Sequence, residues 1–385
     1  MSVPPRQHEE PSLGSVAIGV LLGLIAFQLC GSLFADFRPG DAALGVGTVP
    51  VLDQDADGYT SGFLNQAAEL GARARAEQEA GHPVALILGA SQLHAINFPG
   101  PDDKLAVHHA NQAARARGAR LRYLQVSAPN GNLHELLCAY LAFRAAARPR
   151  WLVIALTYDD LKEPGVRRTA FTRLGRLPTD EETPPAAHAA LAELRRARAE
   201  HEREAAAPGS TRAPVKRTAT EGTPQAAFEQ ALTEGLERLW PAYALRHNLR
   251  SAAIVAYTVP LTNAVISLVG RRAHLVPAER QAWNEGALEA LLAMARADGV
   301  RVAIYKPPHR PDEPSFYHDR AAYDAYFEAL AARCEREGIP YADFERLVPA
   351  ELWGFDAGYL PDVFHFQGEG HRRLGAALDG WLGRQ

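Results

Sequence analysis

Ser91 stands in the stretch Gly89-Ala90-Ser91-Gln92-Leu93, directly after an apolar run at residues 84–88 (VALIL). A serine alcohol becomes a nucleophile only when a base that titrates near neutrality takes its proton, and imidazole is the usual one. The second ring nitrogen of that base needs an orienting acceptor, and a carboxylate serves. Near the other end of the chain, Asp362-Val363-Phe364-His365 offers both groups three residues apart, on a loop expected to lead into the last helix. Each piece has a plainer reading. Ser91 could cap a helix after a buried strand, Asp362 could cap the last helix, and His365 could be an ordinary surface residue. A serine after an early strand together with a late Asp-x-x-His is more specific than either alone, and it points to nucleophilic catalysis.

The two segments can meet only if the chain between them builds a common edge. Runs at 84–88, 121–126 and 151–156 read as buried strands, with helix-like segments at 103–117 and 132–147 between them. That alternation implies a parallel sheet with right-handed crossovers. Ligands and nucleophiles of such sheets collect beyond the carboxyl ends of the strands. The pattern resumes with strands at 301–305 and 341–344 and helices at 321–337 and 368–382. The expected fold is α/β, a flavodoxin-like three-layer arrangement around a parallel five-stranded sheet. Its expected parts are a tail (1–12), a transmembrane anchor (13–35), a linker and helix (36–80), a first half (81–165), a mostly helical insertion (166–299) and a second half (300–385). Within the insertion, 180–206 reads as an exposed charged helix, 208–224 as a flexible linker, and 226–243 and 279–298 as amphipathic helices.

The anchor rests on residues 13–34, LGSVAIGVLLGLIAFQLCGSLF, which carry no charge. As a helix this segment would span roughly 30 Å, the thickness of a bilayer's hydrocarbon core. A cleaved signal peptide fits less well, because Glu9 and Glu10 accompany Arg6 in the leader and Leu33 occupies the −3 position of a cut after Ala35. Residues 251–270 are also uncharged, but Pro260 and Asn263 favour a packed or surface-lying helix over a second span.

Composition sets outer limits. The 385 residues are 47% hydrophobic and 22% charged, which excludes wholesale disorder, collagen and a small disulfide scaffold. A net charge of −4 makes no case for nucleic acid as a partner. Mean hydropathy of −0.20 excludes a polytopic membrane protein. There is no CxxC and no zinc spacing among the three cysteines, so neither metal nor cofactor is expected. Cys138 and Cys334 read as two buried thiols, with a disulfide between them as the alternative. Asp53-Gln54-Asp55-Ala56-Asp57-Gly58 matches half of a calcium loop, but its twelfth position is Leu64 rather than glutamate, which favours an acidic turn. His108 and His109 are adjacent and face different sides of a helix. Tyr158 and Asp159 follow the third strand and are candidates to line the cleft, or simply to begin a loop. Arg310, after the fourth strand, is a candidate for binding an anionic substrate group, with a loop contact as the plainer reading. His371 reads as an exposed or packed helix residue.

GASQ after the first strand, SAPN after the second and DVFHF before the last helix resemble the SGNH (GDSL-type) esterase superfamily. Tyr305-Lys306-Pro307-Pro308, Phe344-Glu345-Arg346-Leu347-Val348-Pro349 and His365-Phe366 with Gly370-His371 are similar to its branch of DltD-type teichoic-acid D-alanylation and alginate O-acetylation proteins. The resemblance covers roughly residues 82–165 and 300–385. It implies an SGNH-like fold, Ser91 as nucleophile, His365 as general base and Asp362 as its orienting carboxylate. It also implies an oxyanion hole made by the Ser91 amide and the Asn130–Gly131 turn, and a multi-span membrane O-acyltransferase as partner. Two departures stand out. Ala90 replaces the usual Asp of the first block, and Thr157-Tyr158-Asp159-Asp160 stands where Gly-x-Asn-Asp is usual. An ionised carboxylate cannot donate to an oxyanion, so Asn130 or Asn132 is expected to supply the donor. The expected function is a membrane-anchored, extracytoplasmic serine acyltransferase or esterase acting on O-acyl groups of a cell-surface polysaccharide or envelope polymer. The rival is a catalytically inactive scaffold or glycan-binding partner of the acyltransferase. A weaker third is a calcium-dependent surface protein.

Overall fold

Each of the short apolar runs forms a strand, buried on both faces in all but the last, Tyr341–Asp343, which is partly exposed. The computed structural model describes residues 48–56, 58–172, 174–206, 275–312, 319–355 and 361–385. The central strands are β1 (Ser61–Phe63), β2 (Val84–Gly89), β3 (Arg122–Ser127), β4 (Trp151–Ala155), β5 (Arg301–Lys306) and β6 (Tyr341–Asp343). They pair in the order β6-β5-β4-β2-β3-β1, every pair parallel. The sheet therefore has six strands where five were expected. The extra strand, β1, has the sequence SGF and lies in the stretch read as linker and helix. Three residues with one large apolar side chain carry no periodic signal, and the ladder with Gln125–Ser127 of β3 is what makes them a strand.

Alternate strand residues feed two cores, as the pleat requires. Leu86, Leu88, Leu124, Val126, Leu152, Ile154 and Ile304 pack on one side with α1 (Ala67–Glu79), α3 (Leu133–Arg144), α5 (Ala278–Ala297) and α6 (Arg320–Glu337). Ile87, Tyr123, Val153, Ala303 and Tyr305 pack on the other with α2 (Ala106–Ala116) and α7 (Gly368–Leu382). Full burial of each such aliphatic side chain contributes about 1.5–3 kcal/mol. Helices α2 and α7 come together backbone to backbone. A Cβ on Gly375 would lie 2.4 Å from the Ala106 carbonyl oxygen. Their far ends are joined by Asp379, which accepts from Arg117 Nε (2.7 Å) and Tyr123 OH (2.9 Å).

The stretch 180–206 is not a single exposed helix. Two 3₁₀ turns lead into α4 (His188–Ala206), and Ala187, Ala190, Leu191 and Leu194 are buried along one side. Its charged residues hid that inward stripe. Cys138 and Cys334 are free, buried thiols, so the disulfide alternative falls. The acidic turn is partly internal. Asp53 is buried and accepts from the Leu105 amide at 2.7 Å, and Asp55 pairs with Arg73 at 2.8 Å. Among the described residues no cluster of three His, Cys, Asp or Glu is placed to hold a metal. Among them, too, no helix is long and apolar enough to cross a membrane. The tail at 1–12, the anchor at 13–35, the linker at 208–224, the helix at 226–243 and the segment at 251–270 lie outside the described residues.

Candidate active site

Because every central strand is parallel, β2, β3, β4 and β5 deliver their carboxyl ends to one edge. At the end of β2 the chain turns at once into a 3₁₀ turn, Ser91–Leu93, rather than an α-helix. Gly89 is required there, since a Cβ would sit 2.8 Å from that of Ala155 on β4. The turn is held from below by Gln125 of β3, whose side-chain amide donates to the Leu93 carbonyl at 2.6 Å.

His365 is not on a loop. It lies on β8 (Pro361–Phe366), which runs antiparallel to β7 (Trp353–Phe355). Phe366 faces Trp353 and Pro361 faces Phe355, so five steps along β8 answer to two along β7. The surplus residues bulge. On a regular strand, residues three apart point to opposite faces. In the bulge, Asp362 Oδ1 accepts from the amides of Phe364 (2.8 Å) and His365 (3.0 Å), a closed turn that brings the two side chains together.

The result is a linear relay. His365 Nε2 lies 2.9 Å from Ser91 Oγ, and His365 Nδ1 lies 2.8 Å from Asp362 Oδ2. Exposure is 8% for Ser91, 5% for His365 and 4% for Asp362. With Asp362 as acceptor, Nδ1 carries the ring proton and Nε2 presents its lone pair to the serine hydroxyl. Two more histidines lie close by. Burial pushes His94 and His371 down to about 3, helped in both by the proximity of His365, so they are neutral neighbours. His371 is a packed residue that donates from Nε2 to the Ala95 carbonyl at 3.1 Å.

Ser91 opens on a cavity of about 70 Å³ lined also by Gln92, Asn130, Gly131, Thr157, Asp159, Asp160, Lys162, Glu163 and Phe364. Asn130 and Gly131 are thus at the serine, but not as equals. The Gly131 amide donates to the Ala128 carbonyl at 2.8 Å, and a Cβ on Gly131 would lie 2.3 Å from that of Ala128. Asn130 is exposed and takes the left-handed conformation, φ 47°, so that loop turns sharply. Asn132 is committed elsewhere. It caps α3, accepting from the Glu135 amide at 3.0 Å, and donates to the Gly165 carbonyl at 2.6 Å. The expectation that Asn132 supplies an oxyanion donor is therefore withdrawn.

Of the other candidates, Asp159 lines the cavity, with Lys162 Nζ 3.8 Å from its carboxylate. Tyr158 and Arg310 are not among its lining residues. Tyr158 is buried between Tyr323 and Tyr326 and edges a neighbouring cleft of about 10 Å³. Arg310 is buried, bonded to Asp312 Oδ1 (2.7 Å) and the Gly354 carbonyl (2.8 Å), which makes it an anchor for the strand before the bulge. Asp160 is fully buried, and that burial pushes its carboxyl up to about 7, with neighbouring Asp159 adding to the effect against the Thr157 amide it accepts from.

The supporting contacts of several residues were not foreseen from the sequence. Gln92 donates to the carbonyls of Pro308 (2.8 Å) and Phe364 (2.9 Å), tying the serine turn to the residue before His365. Arg167 clasps buried Glu135 and donates to the Pro129 carbonyl at 2.6 Å, fixing the loop that carries Asn130. Lys306 and Glu345 form a buried ion pair joining β5 to the segment after β6, and Arg320 adds a 2.7 Å contact to the same carboxylate. Polar residues inside apolar runs were the available signal, Gln125 in LRYLQV above all. The partners of Gln92 and Arg167 are backbone carbonyls, which leave no mark in sequence.

No family model matches the chain, and none of the curated proteins matches it. Among solved structures, a candidate acylhydrolase from Bacteroides fragilis aligns at 10% identity and a TM-score of 0.35, over 86% of this chain and 97% of that one. A candidate arylesterase from Agrobacterium tumefaciens aligns at 11% identity and 0.35, over 78% and 99%. An α/β hydrolase enzyme from the metagenome of Lake Arreo, Spain, aligns at 13% and 0.33, over 78% and 95%. At TM-scores this low the likenesses carry no weight for family or activity, which must be argued from Ser91, His365 and Asp362 themselves.

Proposed function

We propose that this chain is a serine acyltransferase or esterase that makes an acyl-enzyme at Ser91. One observation carries the reading, the Ser91–His365–Asp362 relay with contacts of 2.9 and 2.8 Å at the mouth of a cavity. Ser91 Oγ attacks the acyl carbonyl as His365 Nε2 takes the hydroxyl proton. The imidazolium so formed is held by Asp362 and returns the proton to the leaving alcohol as the tetrahedral adduct collapses. A second alcohol or a water, deprotonated by the same nitrogen, then takes the acyl group from Ser91, whose departing oxygen receives that proton back from His365. The Ser91 amide opens the 3₁₀ turn, where the first N–H groups have no partner within the helix, so it is one donor for the oxyanion. The Asn130 side chain is the other, in place of Gly131.

A cavity of about 70 Å³ holds a few waters' worth of space, at about 10–15 Å³ each, which favours a short acyl group over a fatty chain. We assign the acceptor as a hydroxyl of a cell-surface polysaccharide or envelope polymer. The body would be extracytoplasmic, anchored through residues 13–35, and would work beside a multi-span membrane O-acyltransferase. The support for location and partner is the uncharged leader segment and the family resemblance of the motifs. A specific observation keeps the non-catalytic alternative in view. Asp159 brings a carboxylate to the cavity where the resembled family has an amide, and a negative charge there opposes a developing oxyanion. The test is hydrolysis of a small acetyl ester by purified protein. Activity that disappears in Ser91→Ala upholds the acyl-enzyme. Equal inertness of both proteins, with Ser91→Ala still supporting polymer modification in cells, moves the assignment to a scaffold.

A further inference from the structure

We infer that the groove between α4 and α5 is a saccharide subsite, where a sugar ring of the acceptor rests beside the serine cavity; its place in the reaction rests on the acyl-transfer reading above. The groove encloses about 310 Å³, within the range of small-ligand sites. Trp283 lines it, half-buried. One indole face is stacked on His134, with ring centroids 3.6 Å apart and planes 20° from parallel. The indole N–H points toward Glu193 Oε2 at 3.5 Å. The ring is therefore held in place, and the part of it left exposed lines the groove.

The rest of the lining is of two kinds. Ala197 and Val166 keep part of the wall apolar, while Glu193, Arg196, Glu200 and Arg280 supply donors and acceptors around it. A pyranose ring has the same division, an apolar face of axial C–H groups and a belt of hydroxyls. A rigid aromatic face suits the first, since it buries area with little entropy left to lose. Carboxylates and guanidinium groups of mixed sign suit the second. Two arginines in the rim argue against a cage for a bare cation, which would want aromatic and acidic walls alone.

Position ties this groove to the chemistry. Lys162 and Glu163 line the serine cavity, and the next residues, Pro164 and Gly165, line the groove. Consecutive Cα atoms are about 3.8 Å apart, so one turn of backbone forms both walls. That wall is fixed by two buried asparagines. Asn132 donates to the Gly165 carbonyl at 2.6 Å, and Asn284 of α5 donates to the Leu161 carbonyl at 3.0 Å.

The test is calorimetric titration of the full chain with cellotetraose, chitotetraose and a tetramer of mannuronate. Binding of at least one is expected, weakened at least tenfold in Trp283→Ala and kept within about threefold in Trp283→Phe. Should the first variant fail to fold, Ala197→Gln, which puts a longer side chain into the groove lining and leaves Trp283 and His134 unsubstituted, is expected to weaken binding to the same degree. Absence of binding by all three sugars, or binding that neither Trp283→Ala nor Ala197→Gln weakens, overturns the subsite. The two proposals fail separately. Sugar binding with no ester hydrolysis keeps the groove and removes the acyl-enzyme, and ester hydrolysis with no sugar binding does the reverse.

Discussion

The two walls of the serine cavity are built on different principles. One wall, made by the turn after β2 and the bulge of β8, is a closed set of hydrogen bonds in which serine, imidazole and carboxylate each have a partner at 2.8–2.9 Å. The other, the 157–163 loop after β4, presents Asp159, Asp160, Lys162 and Glu163 to the same space. The first wall has the geometry for making a nucleophile. The second sets the charge that an acyl group and its oxyanion would meet. A catalytic triad by itself therefore does not fix the rate, because the opposing wall can help or hinder the tetrahedral adduct.

The largest expected effect comes from breaking the first wall. Ser91→Ala should lower kcat/KM for a small acetyl ester by about 10³-fold or more, and Asp362→Asn by about 10²–10⁴-fold, read from initial rates. A Ser91→Ala protein that kept a tenth of the activity would show that the relay is idle. Sharpening the second wall comes next. Asp159→Asn restores a neutral amide, and we expect kcat to rise about tenfold through oxyanion donation. A fall instead would assign Asp159 a positive role in substrate binding. Gln92→Ala strands one buried and one part-buried carbonyl and loosens the tie between the serine turn and the β8 bulge, at a cost of about 1–3 kcal/mol in urea unfolding. A tenfold fall in kcat with little change in KM is expected beside it, and full activity would refute a positioning role.

The effect least tied to the relay is on stability against pH. Asp160 has its carboxyl raised from 3.8 to about 7 by burial. Between those values the unfolded chain has lost the proton that the folded chain retains, so stability falls as pH rises from about 4 to about 7 and levels off above. Asp160→Asn has nothing to titrate. Thermal unfolding of the variant should therefore lack this decline, a difference on the order of a few kcal/mol. Parallel curves for the two proteins would mean that Asp160 ionises freely.

Much of this arrangement is legible in the sequence. The runs VALIL, WLVIA and RVAIY are strands because continuous β-branched and aliphatic residues have nowhere but a two-sided core to go. Ser91 and the Asp362–His365 pair were found from residue type and order. Their meeting could not be read, since it depends on the bulge in β8, and a bulge is defined by its partner strand. β1 was missed because its conformation comes from the ladder with β3 and not from its own side chains. Tyr158 and Arg310 were misplaced for the opposite reason. Their types suited a cleft, but tertiary packing had already used the phenol ring and the guanidinium. Gly131 lines the cavity, but its amide is occupied by a carbonyl three residues back, a contact that residue type does not announce.

The crossover from β4 to β5 spans residues 156–300, yet Ile154 and Ile304 pair as immediate neighbours in the sheet. Parallel neighbours always need a long return path, so the scaffold tolerates whatever length that path acquires. Closure entropy grows only with the logarithm of length, and a path several times longer than a bare helical crossover costs about 1–2 kcal/mol more. A fold of this kind can thus accumulate whole new surfaces at a single seam while its register, and the contacts among Ser91, His365 and Asp362, stay where they were.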